Sequence, residues 1–145
     1  MCIAITLPGD LIDKIVHGEK TIEMRKCFPK HFDKNRDGVF VIMKGTTKIF
    51  MTLKIDCVDV WHDVTLVDLL FRDQIGVPSA YIQRYAQGAK AIYLWHIGHV
   101  FPFSIPLDMT KAFNIKRAPQ CYQYISEETF LQNQHYILGR HSAEQ

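Results

Sequence analysis

The sequence predicts an α+β fold, in which a curved or closed, mostly antiparallel β-sheet carries flanking helices. Segments 39–43 and 49–61 are long, nearly continuous apolar strands joined by a short turn with a lysine at each end, the pattern of an antiparallel hairpin. Strands that are apolar along their whole length are typical of a barrel core. Helical periodicity on either side of this hairpin completes the predicted order β-α-β-β-β-α-α-β-β-α.

Size and composition favour one globular domain. The chain has 145 residues, of which 48% are hydrophobic and 22% charged, so it can bury a sizeable core and does not resemble a disordered protein. We expect a single domain over 1–145, with a core at about 2–125, a C-terminal helix at 126–139 and a loose tail at 140–145.

Charge and cysteine usage restrict the function classes. A net charge of +2 and a pI of about 8.3 are too low for a dedicated DNA-binding domain, so any contact with nucleic acid should be confined to a groove. No signal peptide and no apolar run of about 20 residues is present, which predicts a cytoplasmic protein without a membrane segment. The cysteines are widely spaced, form no CxxC pair and are expected to be reduced, with no zinc site and no cofactor: Cys2, Cys27, Cys57 and Cys121.

The first elements are a strand at residues 2–7 and a helix that begins at Pro8-Gly9-Asp10. Apolar residues recur at helical spacing on one predicted face of this helix, namely Leu7, Leu11, Ile12, Ile15 and Val16. Gly18 follows the helix, where a left-handed residue commonly ends one.

The junction after this helix concentrates three ionisable groups within six residues. From Thr21 the period changes to two, so Thr21, Glu23 and Arg25 should share one face of a strand. One interpretation is that Lys20 caps the helix and Glu23 pairs with Arg25 on a solvated surface, which is worth about 0–1 kcal/mol. The other is that these groups line a cleft, where Lys20 and Arg25 hold an anionic or carbonyl-bearing ligand and Glu23 orients Arg25 or moves a proton.

Two helices and a long strand are predicted in the middle of the chain. Leu66, Leu69 and Leu70 are in phase on a helix at 65–73, and a second helix at 80–87 carries Tyr81 and Tyr85 one turn apart. These tyrosines are expected either to pack in the core or to stack on a base. Within the following strand, at 90–103, His96 and His99 point to opposite faces and make a poor metal pair.

The last elements are a short helix ending at Phe113, a closing strand at 117–125 and a final helix. Pro119 precedes the closing strand, on which Gln120, Tyr122 and Tyr124 alternate onto one face. Ser126 is placed to cap the last helix, at 128–138.

Two segments carry a resemblance to a known family. Gly18-x-Lys20-x-x-Glu23-x-Arg25 resembles the GxKxxExR signature of ASCH domains, a branch of the PUA-like β-barrel superfamily. The segment Ala118-Pro119-Gln120-Cys121-Tyr122 resembles the Pro-Pro-Gln-Ser-aromatic sequence that ends many ASCH domains, with Cys121 where serine is common. The resemblance implies a PUA-like barrel over residues 2–125.

The resemblance also implies a function, because PUA-like barrels commonly hold RNA or a modified nucleobase in a basic cleft. Binding of RNA or of a modified nucleoside or nucleotide is therefore expected, through phosphate contacts and stacking on aromatic rings. The expected ligand-binding residues are Lys20, Thr21, Arg25, Tyr81, Arg117, Gln120 and Tyr122.

Two alternatives stay open. Some relatives are amidohydrolases of N-acetylated cytidine and others have been reported as ribonucleases, so Lys20, Glu23 and Arg25 are candidate catalytic residues. Glu23 stands where the amidohydrolases have a nucleophilic threonine, which favours a metal-independent ribonuclease with Glu23 as base over amide hydrolysis. The second alternative is a regulatory protein-interaction domain whose cleft has lost its ligand.

Overall fold

The computed structural model describes residues 1–142, and these form six strands and six helices. In chain order the elements are β1 (Cys2–Leu7), α1 (Gly9–Val16), β2 (Ile22–Arg25), β3 (Val39–Met43), β4 (Lys48–Trp61), α2 (Val64–Ile75), α3 (Ser79–Ala86), β5 (Ile92–Asp108), α4 (Met109–Phe113), β6 (Gln123–Ile125), α5 (Glu127–Gln132) and α6 (Gln134–Ser142). Within 1–142, no helix combines the length and the apolar character needed to cross a membrane.

The described strands form one sheet in the order β2-β5-β4-β3-β1-β6. The β1–β3 pair is parallel and the other pairs are antiparallel, as the hairpin pattern predicts. The mixed α+β class is therefore confirmed, but β2 and β6 are free edges of this sheet, so a closed barrel is not confirmed. The closing strand predicted at 117–125 is reduced to Gln123–Ile125, which leaves the segment before it without strand pairing.

The core occupies both faces of the sheet, which explains why β3 is apolar at every position and β1 at every position but Thr6. Ile3 and Ile5 pack into one buried cluster with α1, while Ala4 between them packs into a second cluster with α4 and α6. A third cluster joins β2 and the adjacent part of β5 to α2 and α3. This last cluster determines where the two helices lie relative to β2.

The apolar face of α2 differs from the predicted one. Leu66, Leu69 and Leu70 are exposed, whereas Val67 and Ile75 are buried. The Asp63 carboxylate accepts hydrogen bonds from the backbone N–H groups of the first turn and fixes the start of the helix. The helix contacts the third cluster through a narrow stripe, so helical phase alone does not identify the buried side. Val16 of α1, predicted to lie on the apolar face of that helix, is likewise exposed (46%).

The C-terminal region also departs from the predicted single helix. The Asn133 side chain donates a hydrogen bond to the Ala112 carbonyl (2.8 Å), and the chain divides there into α5 and α6. Ser126 caps α5 as predicted, accepting from the Thr129 N–H (3.1 Å). Residues 140–142 belong to α6 and not to a loose tail, and the rest of the predicted tail, 143–145, lies outside the described residues.

We expect Gly76→Ala to destabilise the protein more than Gly18→Ala. Both glycines follow a helix with a positive φ, +79° and +75°, so each alanine incurs about 1–2 kcal/mol of left-handed strain. A Cβ at Gly76 would also lie 3.2 Å from the Cβ of buried Lys20, whereas one at Gly18 would have no atom of the described residues within 4 Å, its chain neighbours aside. Overpacking should add about 1 kcal/mol or more to the loss in unfolding free energy, measured by urea denaturation. Equal losses for the two variants would contradict this view of the junction.

Candidate ligand-binding site

Lys20 is buried between α1 and β2, with 2% of its surface exposed. Its Nζ donates to the carbonyl oxygens of Ile22 (2.6 Å) and Ile75 (2.7 Å) and lies 3.1 Å from Glu23 Oε1. An ammonium group has three N–H donors, and each of them faces an acceptor here. The Lys20 side chain therefore holds β2 against α2 and does not cap α1, although the backbone N–H of Lys20 donates to the Lys14 carbonyl in the last turn of that helix (3.1 Å).

The C-terminal end of α2 collects positive charge. Ile75 is the last residue of this helix, and the Lys14 Nζ donates to the carbonyl of the next residue, Gly76 (2.8 Å). The free carbonyl groups at a helix C-terminus carry partial negative charge, which two ammonium groups offset. This contact explains how a helix more than 50 residues further along the chain is anchored to the junction.

Glu23 and Arg25 form a buried ion pair, not a solvated one. Arg25 Nε donates to Glu23 Oε2 (2.6 Å), and both residues are largely inaccessible to solvent. The guanidinium carbon lies 5.8 Å from the centroid of the Trp95 ring. Arg25 Nη1 also donates to the Cys121 carbonyl (2.9 Å), which ties the edge strand β2 to the segment before β6.

Opposing charges determine the protonation of this Lys20–Glu23–Arg25 triad. Burial alone would raise the pKa of Glu23, but the charges and hydrogen bonds of Lys20 and Arg25 outweigh it and hold that pKa below its usual value. Burial lowers the pKa of Lys20, opposed by Glu23, whereas for Arg25 the attraction of Glu23 outweighs burial and raises the pKa. With Lys20 protonated, two cations and one anion leave one net positive charge.

A cavity of about 510 Å³ lies beside the triad. Its volume falls in the range of about 300–1,000 Å³ that is usual for small-molecule sites. Besides the triad, its lining includes the α3 tyrosines, the turn after β3 and the segment before β6: Tyr81, Tyr85, Lys44, Gly45 and residues 118–121. The cavity thus brings together four separate parts of the chain.

The two tyrosines on α3 present parallel rings. The ring centroids of Tyr81 and Tyr85 lie 6.1 Å apart with an interplanar angle of 8°, and Tyr81 is 42% exposed. The Lys26 Nζ lies 4.7 Å from the centroid of the Tyr85 ring on the cation-accepting face. Burial raises the pKa of the Tyr85 hydroxyl, so it is uncharged at neutral pH.

The structure brings together five of the residues predicted from sequence. Lys20, Glu23, Arg25, Tyr81 and Gln120 are all among the residues that line the cavity.

Three other predicted residues lie elsewhere: Thr21, Arg117 and Tyr122. Thr21 is exposed because β2 begins only at Ile22, so Thr21 is outside the alternation that orients Glu23. Arg117 is exposed, and Tyr122 packs edge-on against Tyr124 with centroids 5.4 Å apart. Gln120 and Tyr122 precede β6, so the face they were predicted to share does not exist.

The site also contains groups that were not among the predicted site residues. The Ile75 carbonyl and the Trp95 ring contact the triad, but a backbone acceptor and a distant strand residue leave no local signal in a sequence. Lys44 and Cys121 could have been found from the sequence. Lys44 stands at a predicted hairpin turn, and Cys121 belongs to the second segment that resembles ASCH domains.

Cys27 and Cys121 lie side by side where β2 approaches the segment before β6. Their sulfur atoms are 3.9 Å apart, and both thiols are reduced. Burial raises the pKa of Cys27, and the neighbouring Cys121 raises it further. The two free edges of the sheet therefore meet through side-chain contacts, although no ladder hydrogen bonds join them among the described strands.

Comparison with known proteins establishes the fold. No protein-family model matches the sequence, and none of the curated proteins matches it. A serine-to-alanine mutant of an ASCH protein from Zymomonas mobilis aligns with a TM-score of 0.78 and 14% identity, covering 92% of this chain and 94% of that one. The ASCH structure from the same organism aligns with a TM-score of 0.74 and 17% identity, covering 93% and 94%. The chain has the ASCH fold, which confirms the predicted resemblance at the level of structure.

We expect Glu23→Gln to lower the free energy of unfolding by about 3–5 kcal/mol at neutral pH, because it leaves two buried cations without their anion. The pKa of Glu23 is lower in the folded state than the value of about 4.3 expected when unfolded. Its stabilising effect is thus complete above that value and is lost as the pH falls through the folded-state pKa. Urea denaturation should show that the difference in unfolding free energy between wild type and Glu23→Gln becomes smaller at acidic pH.

The control for this experiment is Glu19→Gln, which changes an exposed carboxylate in the same junction. Its effect should be within about 0.5 kcal/mol, as is usual for surface substitutions. A Glu23→Gln loss no larger than the Glu19→Gln loss, or one independent of pH, would show that the triad does not stabilise the fold as described.

We also expect oxidised glutathione to link Cys27 to Cys121 within one chain. Two protein thiols lose their protons and reduce the glutathione disulfide to two glutathione molecules, while one protein S–S bond forms. Intact mass should fall by two hydrogen atoms, and peptide mapping without reductant should recover the Cys27–Cys121 pair. Cys57→Ser is the control and should crosslink as wild type does, whereas a chain that crosslinks only through Cys57 would contradict the proximity of the two edges.

Proposed function

We propose that the chain binds a nucleoside unit, either a free modified nucleoside or one nucleotide of an RNA, in the cavity beside the triad. The observation that carries the proposal is the composition of this cavity: about 510 Å³, a positively charged group of buried side chains, and two parallel tyrosine rings, one exposed and one half-buried. A nucleoside combines a flat π-system with polar edges, and it requires both kinds of contact.

A ligand in the cavity can use the hydrogen-bond donors and acceptors of the lining residues that have no partner within the described protein. Nε and Nη1 of Arg25 each have a protein partner, so the other N–H groups of the guanidinium can donate to a phosphate or to a base edge. The exposed Gln120 side chain offers one amide donor group and one acceptor. Tyr81 supplies an exposed ring for stacking.

The state of Lys20 and Glu23 favours binding over catalysis. The Lys20 ammonium donates to two backbone carbonyls and lies against Glu23, so it acts as a positioning residue. Both carboxylate oxygens of Glu23 face cations, and its lowered pKa makes it a weak base at neutral pH. A ribonuclease or amidohydrolase that uses these two residues would have to break this network first.

The test uses labelled single-stranded RNA in EDTA, followed by fluorescence anisotropy and by gel. Lys44→Gln and Lys48→Gln form a matched pair, because the two exposed lysines flank the turn between β3 and β4 but only Lys44 lines the cavity. We expect Lys44→Gln to weaken binding several-fold and to lower the salt slope by about one, as loss of one phosphate contact does. Lys48→Gln should bind as wild type does, and Tyr81→Leu should cost about 1–3 kcal/mol of stacking.

Three outcomes would overturn the proposal. The first is that the RNA does not bind and calorimetry detects no binding of N-acetylated cytidine. The second is that Lys48→Gln weakens binding as much as Lys44→Gln, which would place the RNA outside the cavity. The third is that wild type cleaves the RNA in EDTA and folded Lys20→Ala protein does not, which would make the protein a metal-independent ribonuclease.

A further inference from the structure

Three side chains that metals commonly bind come together on the β4–β5 ribbon. Cys57 lies directly opposite His96, and Asp59 follows two residues later on the same face of β4. The Cys57 thiol, the Asp59 carboxylate and the His96 ring each offer one ligand atom, and all three atoms lie within 4.8 Å of one another. His96 Nε2 and Asp59 Oδ2 are 2.7 Å apart.

Two facing β-bulges produce this arrangement. The register passes from Ile55 opposite Ile97 to Cys57 opposite His96, so Asp56 is an extra residue on β4. Gly98 is likewise an extra residue on β5, and a Cβ there would lie 2.0 Å from the Asp56 carboxylate. Without the bulge at Asp56, that residue would face His96 and Cys57 would point to the other side of the sheet.

We propose that Cys57, Asp59 and His96 bind a zinc ion. A thiolate, an imidazole and a carboxylate suit Zn²⁺, whereas Mg²⁺ and Ca²⁺ prefer oxygen ligands alone. Around a tetrahedral zinc at bond lengths of about 2.0–2.3 Å, the ligand atoms are about 3.2–3.7 Å apart. The distance between His96 Nε2 and Asp59 Oδ2, 2.7 Å, is below that range, and no pair of ligand atoms is more than 4.8 Å apart. Small side-chain rotations therefore complete the site and leave the fourth position for water or a ligand.

The three proposed ligand residues are accessible to solvent, and the strands that carry them restrict their positions. Cys57 is exposed, and 45% of the Asp59 and 27% of the His96 side-chain surface is accessible, so an ion can enter from solvent. The ligands stand on two adjacent paired strands, and the His96 ring packs edge-on against Phe71, with centroids 6.4 Å apart. These contacts restrict the imidazole before metal arrives.

The zinc site is separate from the ligand-binding cavity. His96 and Trp95 are successive residues of β5 and therefore point to opposite faces of the sheet. Trp95 stands beside Arg25 of the triad, and His96 stands on the face covered by α2. The proposal thus does not depend on the function proposed for the cavity. It departs from the expectation of no metal site, which considered His99 as the partner of His96 and not the residues of β4.

The experiment is a titration of reduced, metal-free full-length protein with Zn²⁺ by calorimetry, and with Co²⁺ by absorption. We expect one zinc per chain, release of protons on binding, and a thiolate-to-cobalt charge-transfer band. Cys57→Ser should remove the band and weaken zinc binding by more than about tenfold, since even groups that only support a ligand contribute about 10–100-fold. Asp59→Asn and His96→Gln should also weaken it.

Cys121→Ser is the matched control, because it removes an exposed thiol outside the proposed site. It should bind both metals as wild type does, and circular dichroism should show that every variant is folded. Absence of binding at millimolar zinc would overturn the proposal. So would a cobalt band that persists in Cys57→Ser or disappears in Cys121→Ser, because the metal would then be bound by the Cys27–Cys121 pair.

Discussion

The buried ammonium of Lys20 is the interaction on which the arrangement of the site depends. A charge removed from water is very unfavourable unless each of its donors is satisfied. Here the donors face a carbonyl of β2, the last carbonyl of α2 and the Glu23 carboxylate, so these groups must stay in place together. Asp68 of α2 accepts hydrogen bonds from Ser79 and Gln83, which carries this restraint on to α3 and its tyrosines.

The second restraint acts between the two free edges of the sheet. Arg25 extends from β2 to the Cys121 carbonyl, and its guanidinium is oriented by Glu23 and the Trp95 ring. Segment 118–121 has no strand pairing, yet it is held beside the cavity by this contact. In a closed barrel, continuous backbone hydrogen bonds join the first and last strands. Here the planar guanidinium of Arg25, with N–H donors in fixed directions, joins the two edges instead.

The sequence predicted the centre of the site because its pattern is local. Glu23 and Arg25 alternate on one strand, and Lys20 follows the glycine that ends α1, so their proximity depends on backbone geometry alone. The positions of Thr21, Gln120 and Tyr122 depended on where two short strands begin, which side-chain alternation does not determine. The proposed zinc ligands depend on two bulges in strands that are paired in the sheet but separated in sequence by α2 and α3. The exposed leucines of α2 were mispredicted for a similar reason, because tertiary contacts determine which narrow stripe of this helix is buried.

The position of β2 at an edge of the sheet has a consequence for the order of assembly. Its strand partner is β5, at residues 92–108, the acceptor for Lys20 is 55 residues away and the acceptor for Arg25 is 96 residues away. A chain emerging from the ribosome therefore contains β1, α1 and the β3–β4 hairpin while Lys20 and Arg25 still lack their long-range acceptors. The Arg25–Cys121 contact requires residue 121, so we expect full burial of these three charges to be a late step of folding.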